Sequence, residues 1–99
     1  MPTIEDIRLV VIECLKKLLG KKAIGVEITD KIDPIQNLGL ESVDGIGFAC
    51  ELGQRLNCHI PVKVNPLVND ATCRSRKVGE IVTLLHSMLM QQEEVNARQ

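Results

Sequence analysis

The sequence predicts an all-α fold: a four-helix bundle of three main helices plus a short one, with a long loop between the first two helices. Three observations predict it. Aliphatic residues recur at helical spacing in three stretches, roughly residues 4–18, 43–56 and 78–89. The chain has one aromatic residue, Phe48, among 99. Its core must therefore be aliphatic, which suits interdigitating helix faces better than the aromatic and β-branched surfaces of a sheet. Between the first two periodic stretches, turn-forming residues alternate with spaced aliphatics, the pattern of a loop pinned across a bundle.

The first helix is expected from about Thr3 to Leu19. Thr3 is an N-cap residue, and Glu5 and Asp6 put negative charge at the positive end of the helix dipole. Ile4, Ile7, Val11, Cys14, Leu15 and Leu18 form one stripe, and Gly20 can end the helix. From Lys21 to Glu41, Gly25, Asp30, Asp33, Pro34, Asn37 and Gly39 read as loop, while Ile24, Val26, Ile28, Ile32, Ile35, Leu38 and Leu40 offer anchors. A short helical turn at 33–38, with Pro34 at its first position, fits inside it. A β-hairpin through 23–28 is the competing reading, and no second strand is evident for it.

The second main helix is expected to open at Ser42 and to bury Val43, Ile46, Ala49, Cys50, Leu52 and Leu56, ending at Asn57. Gly45, Gly47 and Gly53 weaken it. Pro61 and Pro66 bracket a connector from Cys58 to Asp70, with a short helical turn expected after Pro66. Thr72 or Ser75 is the expected cap of the last helix, whose stripe is Val78, Ile81, Val82, Leu85, Met88 and Leu89. Residues 1–90 thus form one domain. Residues 91–99 are expected to be a polar C-terminal tail that frays.

Composition narrows the function. At 44% hydrophobic and 25% charged, the chain has the balance of an ordinary globular domain rather than a disordered one. A net charge of -1 exerts no long-range pull on a polyanion, so neither nucleic acid nor an anionic membrane surface is an expected partner. No segment approaches the roughly 20 apolar residues of a membrane span, and no secretory signal is visible, so the expected location is cytoplasmic. In that compartment Cys14, Cys50, Cys58 and Cys73 should be reduced thiols, with Cys14 and Cys50 read as small core residues. Cys58, His59, Cys73 and His86 invite a zinc reading, but no close pair at ligand spacing supports it; no metal site is expected. Arg74, Arg76 and Lys77 read as a solvated helix start, with contact to an anionic group as the sharper alternative.

The chemistry concentrates in Asn37-Leu38-Gly39-Leu40-Glu41-Ser42-Val43-Asp44. A turn containing Gly39 delivers Ser42 to the start of a helix, where an anion is favoured. Glu41 and Asp44 flank the serine as handles for a basic partner. A cap-only Ser42 is the plain alternative. A catalytic serine is disfavoured: only His59 and His86 could act as base, and no nucleophile elbow surrounds Ser42. The chain is therefore not expected to be an enzyme.

This stretch resembles the acyl carrier protein family. That family pattern is a Leu-Gly turn, an acidic residue, a modified serine and an aliphatic residue, present here as Leu38-Gly39, Glu41, Ser42 and Val43. The usual Asp-Ser-Leu is Glu-Ser-Val in this chain. The resemblance extends over the long loop, the step Ile60-Pro61, a following short helix and a final amphipathic helix, roughly Ile4 to Leu89. It implies 4′-phosphopantetheine attached to Ser42 from coenzyme A by a phosphopantetheinyl transferase. It implies acyl cargo held as a thioester for acyl-transferring and acyl-modifying enzymes of fatty acid, lipid or polyketide-type biosynthesis, on a monomer. By position it gives Glu41, Val43, Asp44 and Glu51 to partner recognition. It gives Ile46, Cys50, Ile60, Val64 and Leu67 to an acyl pocket. The helix after the serine is less acidic than in familiar carriers, with Gly47, Gly53 and Gln54 at acidic positions and Arg55 and Lys63 adding positive charge; this implies a specialised carrier. Alternatives are an aminoacyl or peptidyl carrier, and a helical adapter without a prosthetic group.

Overall fold

Thr3 starts the first helix by a reciprocal cap. Its Oγ1 accepts the Asp6 N–H at 3.1 Å, and Asp6 Oδ2 accepts the Thr3 N–H at 3.1 Å. These bonds hold the Asp6 carboxyl below the ordinary carboxylate range, the Thr3 backbone first and its hydroxyl second. In the computed structural model, which describes residues 1–97, helix α1 runs Ile4–Leu19 and buries Ile7, Val11, Cys14, Leu15 and Leu19. Gly20 ends it with a positive φ of 58°, and its N–H donates to Lys16 O. A single 3₁₀ turn, Gly20–Ala23, follows. Ile4 and Leu18, expected in the stripe, lie at its exposed margin.

The long loop is pinned, as expected, although not by every aliphatic residue. Ile28 is buried, and Val26, Ile32, Ile35, Leu38 and Leu40 pack partly buried on the core, whereas Ile24 is 81% exposed. No strand forms over 23–28. Helix α2, Pro34–Leu38, has Pro34 in its first turn and Asp33 as cap, Oδ1 accepting the Ile35 and Gln36 N–H groups at 3.0 Å. Gly39 ends it in the left-handed conformation. Arg8 grips the loop from α1, Nε donating to Asp30 Oδ1 at 2.8 Å and Nη2 to Oδ2 at 3.1 Å.

Helix α3, Asp44–Leu56, ends at Asn57, which takes the left-handed conformation. Its buried stripe is Gly45, Phe48, Leu52 and Leu56, with Ala49 half-buried. This corrects the expected stripe: Val43, Ile46 and Cys50 are exposed. No helical turn follows Pro66. Residues 65–68 form a tight turn, and β1 (Val68–Asn69) pairs antiparallel with β2 (Arg74–Ser75), Val68 opposite Ser75.

Helix α4, Val78–Ala97, is not capped by Thr72 or Ser75. Thr72 Oγ1 donates to Asn69 O within the hairpin turn, and Ser75 Oγ donates to Asp33 Oδ2. Loop carbonyls serve α4 instead: Ile32 O accepts the Val78 N–H at 2.8 Å and Asp30 O accepts the Gly79 N–H at 3.0 Å. Gly79 allows this close approach, since a Cβ there would stand 3.2 Å from Asp30 Cβ. The helix also runs past residue 90 rather than fraying there, because Gln91, Gln92, Glu93 and Glu94 are good helix formers. The end of the expected tail, residues 98–99, lies outside the described residues.

Helix α1 is central, packed on one side by α3 and on another by α4. Val78, Ile81, Val82, Leu85 and Leu89 of α4 meet the α1 stripe and Phe48 in one aliphatic core. The fold is mostly helical, with the two-residue strands as its only sheet among the described residues. No helix among them is long and apolar enough to cross a membrane.

Candidate functional site

Ser42 stands on a tight turn just before α3. The Glu41 carbonyl accepts the Asp44 N–H, the Ser42 carbonyl the Gly45 N–H and the Val43 carbonyl the Ile46 N–H, at 3.0, 3.0 and 3.2 Å. These three-residue closures wind the chain into the helix. Asp44 closes the turn from the other side, its Oδ2 accepting the Glu41 N–H at 2.7 Å. Asp44 is the first residue of the helix, so this bond braces the turn; Val43 is at the cap position and makes no side-chain cap bond. Ser42 is exposed, and its hydroxyl makes no hydrogen bond among the described residues. The cap-only reading of this serine does not describe its geometry.

Beside the turn lies an open cleft of about 530 Å³ between α3 and the connector. Ile46, Ala49, Cys50 and Gly53 form its helix wall, and Cys58, Ile60, Val62 and Val64 its connector wall. The fold thus brings together Ile46, Cys50, Ile60 and Val64 of the expected pocket residues. It removes Leu67, which is 0% exposed and packs inside the core. An apolar connector residue can face either a cleft or the core, and the tight turn at 65–68 swings Leu67 inward. Cys50, expected in the core, is an exposed residue of the cleft wall.

The residues expected to face partners divide in the same way. Glu41 and Val43 are exposed next to Ser42. Asp44 is half-buried and engaged with the Glu41 N–H. Glu51 sits on the α1 flank of α3, paired with Lys17 at 3.0 Å, and is not part of the free face around the serine. Arg55 is turned the same way and pairs with Glu13 at 2.7 Å, which raises the guanidinium pKa further. The surface next to Ser42 is consequently apolar: Val43 is 62% and Ile46 72% exposed, and Val62 projects fully from the opposite wall, while the polar Gln54 and Arg55 are exposed only toward the far end of α3.

The other titratable candidates have structural roles or none. Burial pushes the Cys14 and Cys58 thiols up. Gln92 Nε2 donates to Cys58 Sγ at 3.5 Å, which opposes part of the shift at Cys58. Cys50 and Cys73 are exposed, and all four thiols are free. His59 is exposed and His86 is half-buried. No cluster of metal-ligating side chains occurs among the described residues. Arg76 is not solvated like its neighbours: its Nη1 donates to Asn65 O at 2.7 Å and Val68 O at 2.8 Å, tying the connector to the hairpin.

Two residues at the site carry no sequence signal of importance, Asn65 and Gly45. Asn65 Nδ2 donates to the Ser42 carbonyl at 2.8 Å. Its side chain fills the space beside Gly45, where a Cβ would lie 1.9 Å from Asn65 Oδ1. In one sequence Gly45 reads only as a weak helix residue, and Asn65-Pro66 only as a turn. No family model, curated protein or solved structure matches this chain.

Proposed function

We propose that this chain is an acyl carrier protein, with 4′-phosphopantetheine attached to the Ser42 hydroxyl. The observation that carries the reading is the state of Ser42. It is an exposed serine whose hydroxyl has no partner among the described residues, held on a turn at a helix start beside an apolar cleft. These residues fit the group. Ser42 Oγ offers the single attachment atom, and the positive end of the α3 dipole favours the negative charge of a phosphodiester there. Ile46, Cys50, Ile60 and Val64 offer an apolar lining next to it. The arm, when attached, supplies a thiol that carries the acyl group as a thioester.

The fold contributes placement rather than catalysis. Among the described residues the Ser42 hydroxyl has no hydrogen-bond partner, and in this reading its proton is taken by the modifying enzyme. The order of three long helices, with a pinned loop and the serine at the second, supports the carrier reading. One element differs from the family pattern: the short helix after the Ile-Pro step is replaced by the β1–β2 hairpin. With Glu51 occupied by Lys17, partner enzymes of this carrier meet an apolar α3 face flanked by Glu41. This supports a specialised carrier with its own acyl-transferring and acyl-modifying enzymes; in the proposal it acts as a monomer in the cytoplasm. An aminoacyl carrier would share the arm and the serine. Loading by an adenylating enzyme would distinguish it.

The test is intact mass after incubation with coenzyme A, Mg²⁺ and a broad-specificity phosphopantetheinyl transferase. The expected result is a gain of one phosphopantetheinyl group, absent in Ser42→Ala. A folded protein that gains nothing from several transferases overturns the reading. It would leave the exposed apolar face of Val43, Ile46 and Val62 as the contact surface of an adapter.

A further inference from the structure

The Ser42 peptide is held from across the cleft by one side chain. Asn65 Nδ2 donates to the Ser42 carbonyl at 2.8 Å, while Asn65 Oδ1 accepts the Leu67 N–H at 2.9 Å. A carbonyl can only accept and a backbone N–H can only donate, so the two bonds fix which end of the amide faces the serine. The Asn65 main chain is held as well. Its carbonyl accepts Arg76 Nη1 at 2.7 Å and the Val68 N–H at 3.2 Å, and Pro66 behind it is buried and restricts its backbone. Among the described residues, the only other donor to the Ser42 carbonyl is the Gly45 N–H of its own turn.

The absence of a side chain at position 45 belongs to the same arrangement. A Cβ on Gly45 would lie 1.9 Å from Asn65 Oδ1, 2.5 Å from Cγ and 2.7 Å from Nδ2. Those atoms are held by their own hydrogen bonds, so an alanine at 45 must expel Asn65 from the serine turn. Helix propensity argues against glycine in a first helical turn. Its presence is explained by the space Asn65 occupies.

We infer that Asn65 is a positioning residue for the modification of Ser42: it clamps the serine's peptide to the connector so that the backbone at Ser42 is held and its Cα–Cβ bond points in one direction. This rests on the carrier reading and adds a residue to it. Orientation of a nucleophile acts on the chemical step rather than on docking, since the exposed face that a transferase meets is unchanged by the substitution.

The experiment measures kcat and KM for phosphopantetheine transfer to the wild type, Asn65→Ala, Asn65→Asp, Gly45→Ala and the double variant Gly45→Ala/Asn65→Ala. Thermal unfolding confirms that each is folded, and hydrogen exchange is read at the Gly45 amide. Asn65→Asp keeps the acceptor for Leu67 and loses the donor to Ser42, so it separates the serine clamp from the connector turn. The expected result is a kcat lower by about 10-fold in each single variant, the scale of one lost hydrogen bond, with KM within about 2-fold. The double variant should be no slower than either single, because both remove the same contact. The Gly45 amide should exchange faster in Asn65→Ala. A wild type that takes up the group with an Asn65→Ala variant of equal kcat overturns the inference and leaves the carrier reading standing. A rise in KM alone would make Asn65 a docking contact and also overturns it. A wild type that no transferase modifies removes the carrier reading itself, whatever the exchange data show.

Discussion

On the flank of α3 that faces α1, Phe48, Leu52 and Leu56 are buried, and the pairs Lys17–Glu51 and Arg55–Glu13 bridge the two helices. On the flank that faces the connector, Ile46 and Cys50 border an open cleft, with Ile60, Val62 and Val64 opposite and, among the described residues, no ion pair across it. Both flanks are apolar, and one is closed. The closed side is part of the core that stabilises the helix. The open side can receive something without any cost in core packing. Apolar composition alone therefore says little about what a helix face is for; the covering element decides it.

The largest way to break this comparison is at its centre. Phe48→Ala should destabilise the fold by about 3–5 kcal/mol, a large share of the roughly 5–15 kcal/mol typical of a domain, whereas Ile46→Ala should stay within about 0.5 kcal/mol. Denaturant midpoints of the two variants check it; equal losses would mean that the open flank carries as much of the core as the closed one. Thiol chemistry sharpens the same contrast. In the native protein Cys50 and Cys73 should be alkylated first, with Cys14 and Cys58 protected until unfolding, as peptide mass mapping over time would show. Early labelling of Cys58 would mean that the connector wall opens freely.

The next effect is smaller and depends on pH. Burial raises the Cys14 and Cys58 pKa above the ordinary 9.0. Above about pH 9 the unfolded chain releases these protons before the folded one. Stability should thus fall as pH rises from the ordinary value to the raised one, and stay lost above it. Cys58→Ala should flatten that fall in an unfolding series from pH 8 to roughly pH 11; an unchanged slope would assign the fall to other groups. The smallest effect is electrostatic. Glu13→Gln removes the charge paired with Arg55 in a bridge whose side chains are 49% and 39% exposed, and should lower the denaturant midpoint only slightly, less at high salt.

The parts of the fold legible in the sequence are those whose signals are local. Thr3, Pro34, Asp33, Asn57 and Gly39 mark element ends with their own side chains or backbone, and the α4 stripe repeats for three turns. The serine turn was legible for the same reason. What failed depended on distant residues. Val43 and Ile46 match a helical stripe as well as Phe48 does, and only the connector's path decides which set is covered. Ser75 and Thr72 are good caps in isolation, but Asp33 and Asn69 take their hydroxyls first. Two-residue strands are too short to show a period. Asn65 matters through a carbonyl 23 positions away, which no local pattern encodes.

Past residue 90, Gln92 uses its amide as a one-residue substitute for a neighbouring strand. Its Oε1 accepts the His59 N–H at 3.1 Å and its Nε2 donates to the His59 carbonyl at 2.7 Å. The connector beside the cleft is stitched to α4 at this point by a single side chain, and the length of that side chain becomes a ruler for the gap between helix and connector. A shorter amide, as in Gln92→Asn, would draw the seam in or drop the stitch, and a chain cut at residue 90 would have no thread there at all. The polar end of α4 is in this sense the tailoring of the cleft, and its apparent surplus length is what gives the needle its reach.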